Sequence, residues 1–244
     1  MTDQEKMTLA ENFKRLEENI QKYAAGKKRP LVVAATKTVD AQVINYAAEN
    51  LGLTDIGENR VQELLSKYDA LDKDRLRIHF IGHLQKNQVK YIVGKVALIH
   101  SLDSVALALE IEKQSAKLGI VSDVLVEVNI GAEENKSGAD ASEVAEIVRC
   151  VSELPHVNLC GMMTVGPKCS SHGEYRSYFD KTYALFSEIF LDKSGINGHN
   201  IEDPILSMGM SDSYYAALES GANVIRPGSC LFGSRVYPEK NTEN

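Results

Sequence analysis

Apolar residues fall along this chain in two rhythms, and the rhythms alternate. Leu9, Phe13, Leu16, Ile20 and Tyr23 are spaced by fours and threes. That spacing predicts one amphipathic helix, ended near Gly26. Short strand-like runs then follow at 31–37 (LVVAATK), 53–59, 77–83, 97–103, 124–130, 159–165, 205–211 and 223–229. Between them the pattern predicts helices at about 40–50, 60–70, 85–94, 104–118, 140–153, 173–192 and 212–220.

Several runs are apolar almost throughout, as strands covered on both faces should be. Most end in a polar residue or glycine: Lys37, Asn59, His83, Asp103, Asn129, Thr164, Ser211 and Ser229. Eight strand–helix units behind a leading helix predict an α/β fold, a (β/α)8 TIM-type barrel with an extra N-terminal helix and its chemistry at the C-terminal strand ends. A doubly wound open sheet is the alternative. The expected organisation is one domain over 1–244, with the leading helix at 1–26 and a C-terminal tail at 236–244. Tyr175, Tyr178, Phe179, Tyr183, Phe186 and Phe190 have mostly helical spacing. They read as a packed outer helix, with a ligand platform as the lesser alternative.

The net charge of −7 argues against a general nucleic-acid binder and against anionic membrane surfaces. No apolar run approaches the roughly 20 residues that span a bilayer. The N-terminus resembles neither a secretory signal nor a transit peptide. Cys150, Cys160, Cys169 and Cys230 form no CxxC pair, so reduced thiols in a cytoplasmic protein are the expectation.

Candidate chemistry gathers at three strand ends. Apolar residues lead directly into Lys37, and Thr36 and Thr38 flank it. A partly desolvated lysine loses proton affinity and becomes a better nucleophile toward a carbonyl. Ser211 would open the helix SDSYYAALES, whose N-terminal N–H groups suit an anion. Gly228 and Ser229 would supply a second loop, and Arg226 a fixed positive charge. In a closed barrel the eighth strand neighbours the first, so these groups together outline a phosphate-bearing aldehyde. Pyridoxal 5′-phosphate fits that description. Read singly, the same residues are a solvated lysine, a capped helix and a glycine turn.

Seven stretches carry a resemblance: ATKT around Lys37, DIGENRVQEL (55–64), HFIGHLQKNQVK (79–90), VNIGAEENKSG (128–138), GMMTV (161–165), LSMGMSDSY (206–214) and IRPGSCLFGSR (225–235). In this order they resemble the pyridoxal phosphate homeostasis proteins, whose barrel is related to the N-terminal domain of alanine racemase. The resemblance implies that Lys37 holds pyridoxal 5′-phosphate as a Schiff base. It implies that Ser211, Gly228 and Ser229 surround the phosphate. Arg226 would oppose protonation of the pyridine nitrogen, Asn59 would face the cofactor, and Met208 would pack against the site. Arg60 stands where the family pattern has an aromatic residue, and Pro227 where it has an aliphatic one.

Other residues invite weaker readings. His79, His83 and His100 could approach a metal, with packing and hydrogen bonding as the plainer account. Lys136 could meet a second aldehyde. Cys230 reads as a buried small residue beside the phosphate loop, and Tyr214 and Tyr215 as packing residues.

The expected function is therefore binding and buffering or delivery of pyridoxal phosphate, without catalysis and with apo-enzymes as recipients. In alanine racemase the tyrosine opposite the lysine comes from a second domain, for which only nine residues after Arg235 leave no room. A monomer is expected for the same reason. Two alternatives are a single-domain racemase or lyase acting on amino acids, and a barrel enzyme with a phosphorylated substrate and an unmodified lysine.

Overall fold

The computed structural model describes residues 1–131, 137–191 and 202–233. The leading helix α1 (Asp3–Tyr23) begins in a capping box: the Glu5 N–H donates to the Thr2 hydroxyl, and the Thr2 N–H to the Glu5 carboxylate. Its apolar stripe buries Leu9, Leu16 and Ile20.

Eight parallel strands close into a barrel in sequence order. They are β1 (Leu31–Ala35), β2 (Asp55–Glu58), β3 (Arg77–Phe80), β4 (Leu98–Leu102), β5 (Ser122–Val128), β6 (Val157–Thr164), β7 (Ile205–Ser207) and β8 (Val224–Ile225). Closure is made by β1 on β8, with Leu31 opposite Val224 and Val32 opposite Ile225. The open-sheet alternative is thereby excluded.

Around the barrel run α2 (Ala41–Asn50), α3 (Val61–Lys67), α4 (Val89–Ile92), α5 (Val105–Leu118), α6 (Val144–Ser152), α7 (His172–Phe186), α8 (Tyr214–Glu219) and α9 (Ser229–Phe232). α5 shows why such segments are helical. Ser104 caps its first turn by accepting from the Leu107 N–H, Leu107, Ala108 and Ile111 form its buried face, and Gly119 ends it at φ +64°.

Side-chain parity divides the interior in two. Even positions of β2 and β3, Ile56, Ile78 and Phe80, face the helices and join the main core. Odd positions of β1 face the barrel axis, where Val33 packs with Ile81 and Val224, bordered by Leu31, Ala35 and Ile205. One close crossing requires glycine. Gly161 sits at φ +145°, and a Cβ there would lie 2.0 Å from the Ile205 carbonyl oxygen.

Phe179 and Phe186 of α7 are buried, and Tyr175 stacks on Phe179 at 6.3 Å, so the aromatic segment packs as an outer helix. Among the described residues no helix is long and apolar enough to cross a membrane. Lys136 and the 236–244 tail lie outside the described residues.

Candidate functional site

Lys37 lies in the turn that follows β1, two residues beyond the inward-facing Ala35, and is half-buried. The ladder ends just before it, at the bond from the Thr36 N–H to the Gly57 carbonyl (3.0 Å). The chain then turns through Thr38, a non-glycine residue at φ +64°. That conformation needs support, and a buried charged cluster supplies it. The Lys67 ammonium donates to the Thr36 carbonyl (2.8 Å) and the Val39 carbonyl (3.3 Å). It also pairs with Glu58 at 2.7 Å and with Glu63 at 3.3 Å. Glu58 accepts from the Thr36 hydroxyl, and Glu63 from the Thr38 N–H.

Sequence reasoning overlooked these three residues. Two signals were present: a glutamate inside the buried strand DIGE, and the i, i+4 spacing of Glu63 and Lys67. Burial pushes the Glu58 carboxyl up, against the attraction and hydrogen bond of Lys67.

The end of β1 is tied to β8 by the Ala35 N–H, which donates to the Pro227 carbonyl at 2.7 Å. Pro227 has no N–H to give and serves here as an acceptor. Next to it, the Gly228 N–H (2.9 Å) and the Cys230 N–H (3.2 Å) converge on the Ser211 hydroxyl oxygen. A Cβ on Gly228 would press to 3.2 Å on Ala35. Ser229 is the exposed first residue of α9.

This placement corrects the expectation for Ser211. It does not open the helix after β7, which starts at Tyr214. A turn intervenes because the Tyr214 N–H donates to the Met210 carbonyl and the Met210 N–H to the Ser213 hydroxyl. Ser211 is thereby directed to the start of α9. From outside, α1 braces both elements: Asn12 donates to the Leu231 carbonyl (2.8 Å), and Asn19 to the Tyr214 hydroxyl (2.8 Å). Tyr214 is thus a packing residue, and Tyr215 lies against Tyr23 and His172.

Arg226 points inward and is buried. It donates to the Ser207 hydroxyl (2.7 Å) and the Thr164 carbonyl (2.8 Å). Burial pushes its pKa down to about 10, with Glu127 pulling the other way, so the guanidinium stays protonated at neutral pH. Asn59 is half-buried, and its Oδ1 has no hydrogen-bond partner. Met208 stands apart from this group. Ser207 and Gly209 take the inward parity, while Met208 is buried in the main core with the outer helices. Lys37, Asn59, Ser211, Arg226, Gly228 and Ser229 lie just beyond the C-terminal ends of β1, β2, β7 and β8, which are consecutive around the barrel.

Two of the three candidate histidines are joined to one another. His79 and His100 share a ring-to-ring hydrogen bond of 2.9 Å, while His83 lies 3.6 Å from Asp103. Among the described residues no group of three or more His, Cys, Asp or Glu side chains could hold a metal ion.

Two buried groups in this interior weaken the fold in acid. Burial drives the His100 imidazole well below its ordinary value, with the nearby Arg226 cation acting in the same direction. Burial would raise Asp55, but hydrogen bonds from His79, Arg77 and Thr54 outweigh it and hold its carboxyl low. The Asp55 shift stabilises the fold at neutral pH and loses that contribution in acid, and the His100 shift penalises the fold once the unfolded imidazole can protonate. The urea midpoint is therefore expected to fall as pH drops below about 6.5, where unfolded His100 takes up a proton, and again below about 4 as Asp55 is protonated. A flat midpoint from pH 8 to 4 would contradict this.

The donor set suits a phosphorylated aldehyde: an amine, two convergent N–H groups with a hydroxyl, and a buried cation. Comparison with known proteins agrees with that chemistry. Residues 8–236 match the family model described as alanine racemase, N-terminal domain. The chain is 43% identical over 235 residues to the pyridoxal phosphate homeostasis protein of Aquifex aeolicus, covering 95% of this chain and 100% of that one. The Helicobacter pylori protein of the same name is 38% identical, covering 82% of this chain and 86% of its own. Among solved structures, PipY of Synechococcus elongatus with PLP bound aligns with a TM-score of 0.78 at 27% identity, covering 92% of this chain and 100% of PipY. Alanine racemase of Clostridium difficile aligns with a TM-score of 0.67 at 16% identity over 96% of this chain and 62% of the enzyme, which is a likeness of fold. With the barrel, the strand-end lysine and these matches in hand, the chain belongs to the pyridoxal phosphate homeostasis protein family, within the alanine racemase N-terminal domain family.

Proposed function

We propose that this protein binds pyridoxal 5′-phosphate, holds it as a Schiff base on Lys37, and buffers the cofactor or delivers it to apo-enzymes. The observation that carries this reading is the meeting of the Lys37 turn with the convergent donors at Ser211, Gly228 and Cys230, joined by the Ala35–Pro227 bond. The fit has a second support in the buried, unpartnered Oδ1 of Asn59, an acceptor available to a ring substituent. The relative in Aquifex aeolicus is named for homeostasis of this cofactor, and PipY has been solved with it bound.

The residues divide the work. The Lys37 amine is the attachment point. The Gly228 and Cys230 N–H groups and the Ser211 hydroxyl take the phosphate. Arg226, a cation fixed inside the barrel, faces the ring. When bound, the cofactor supplies an aldehyde electrophile and a ring able to accept electrons. A guanidinium beside the ring nitrogen opposes protonation there and weakens that electron sink, which suits holding better than carbanion chemistry. Racemisation would also need an acid–base group on the face opposite Lys37. We therefore assign no catalytic residue, and we place the protein in the cytoplasm as a monomer.

Titration with pyridoxal phosphate should give a stoichiometric visible band, and the loaded protein should activate an apo-enzyme faster than cofactor released into buffer does. Turnover of alanine or serine at ordinary enzymatic rates would overturn the carrier reading. Ser211→Ala should weaken pyridoxal phosphate binding by about tenfold, the scale of a hydrogen bond to a charged group. Pyridoxal without its phosphate should bind both forms alike. Equal loss for the two ligands would remove Ser211 from the phosphate site.

A further inference from the structure

A (β/α)8 barrel is usually filled by layers of branched apolar side chains. Here a run of polar side chains crosses the axis instead. Asp55, His79, His100, Ser207 and Arg226 are all buried. Arg226 donates to the Ser207 hydroxyl at 2.7 Å, and that hydroxyl lies 3.1 Å from His100 Nδ1. His100 Nε2 lies 2.9 Å from His79 Nδ1, and His79 Nε2 lies 2.9 Å from Asp55 Oδ1. Asp55 is also paired with Arg77, whose side chain is largely exposed.

We infer that Asp55, His79, His100 and Ser207 are positioning residues for Arg226, linked in a hydrogen-bond chain of one polarity that fixes the guanidinium in place. The polarity follows from the two ends. Arginine can only donate and an ionised carboxylate can only accept. Ser207 therefore accepts from Arg226 and passes its own proton to His100 Nδ1. His100 donates through Nε2 to His79 Nδ1, and His79 donates through Nε2 to Asp55. Reversal would leave the buried Ser207 O–H without an acceptor in the chain and set two acceptors between His79 and Asp55, each a buried mismatch. A doubly protonated His79 would force that reversal at Ser207. Both imidazoles are therefore neutral and carry their proton on Nε2, and a buried carboxylate paired with the largely exposed Arg77 at one end is tied to the cation at the other.

The functional part of this inference rests on the pyridoxal phosphate reading, whereas the chain itself does not. In cofactor-free protein labelled with 15N-histidine, long-range correlation spectra near pH 7 should show both His79 and His100 as neutral Nε2–H tautomers. This measurement needs no variant. Exchange of the Arg226 Nη protons should be slow in the native protein and in Ser207→Thr, and at least about tenfold faster in Ser207→Ala, which cuts one bond of the chain. In loaded protein, Ser207→Ala should raise the half-saturating pyridoxal phosphate concentration by about tenfold, and Ser207→Thr should restore it. An Nδ1–H or doubly protonated imidazole at either position, or unchanged Arg226 exchange in Ser207→Ala, would overturn the proposal. Failure of native protein to take up pyridoxal phosphate while the tautomers are as stated would strike the cofactor reading alone.

Discussion

Lys37→Ala should leave the barrel folded and abolish covalent retention of pyridoxal phosphate. After borohydride reduction, native protein should carry the cofactor mass on the peptide containing Lys37, and the variant should carry none. The visible band should collapse to that of the free aldehyde. Residual binding through the phosphate donors should be weaker by at least about a hundredfold, or ~2.7 kcal/mol. The competing amine nearby is Lys67. Its ammonium is engaged by two carboxylates and two carbonyls, contacts that keep its nitrogen from approaching an aldehyde. A label found on Lys67, or one that persists in Lys37→Ala, would end the assignment.

Lys67→Met should be the most damaging substitution to the fold among those discussed. It strips Glu58 of its cationic partner, and one oxygen of that carboxylate already lacks a hydrogen bond. Breaking a buried pair from one side typically costs about 3–5 kcal/mol. For a chain of this size that corresponds to a melting temperature lower by about 10 °C.

The pH dependence gives the mechanism a signature. Burial raises the Glu58 carboxyl in the folded state, and loss of Lys67 raises it further. A raised folded-state pKa means that the fold is favoured while the group is protonated, below its unfolded value near 4.3, and loses that advantage as pH rises through the folded value. The penalty of Lys67→Met should therefore shrink in acid. Glu58→Gln combined with Lys67→Met should recover part of the loss at pH 7. An equal penalty at pH 5 and pH 8 would point to lost packing instead of an orphaned charge. The same variant should slow cofactor uptake, because the Thr36 and Val39 carbonyls lose the donor that shapes the Lys37 turn.

The existence and order of the elements were legible because apolar periodicity is local. Their ends were less so. The runs at 205–211 and 223–229 carry strand pattern for seven residues, but β7 holds only Ile205–Ser207 and β8 only Val224–Ile225. The ladder stops where the strand tips separate to form the loops of the site. The segment at 85–94 divides into a 3-10 turn (Lys86–Gln88) and a short α4. The one at 140–153 becomes helical only at Val144. α9 has four residues, too few to show a period.

The sequence by itself determined the eight-unit alternation, the lysine at the first strand end and the serine and glycine at the last two. All of these are properties of residue type and short-range spacing. Tertiary structure decided which groups meet. Barrel closure set β8 beside β1 and so joined the Ser211 and Gly228 donors to the Lys37 turn. The turn after β7 moved Ser211 from α8 to α9. Side-chain parity sent Met208 outward and aligned Asp55, His79, His100, Ser207 and Arg226 across the axis. Those partners lie on different strands up to 107 residues apart along the chain. Hydrogen bonds act over about 3 Å, so only the closed fold could bring them within reach.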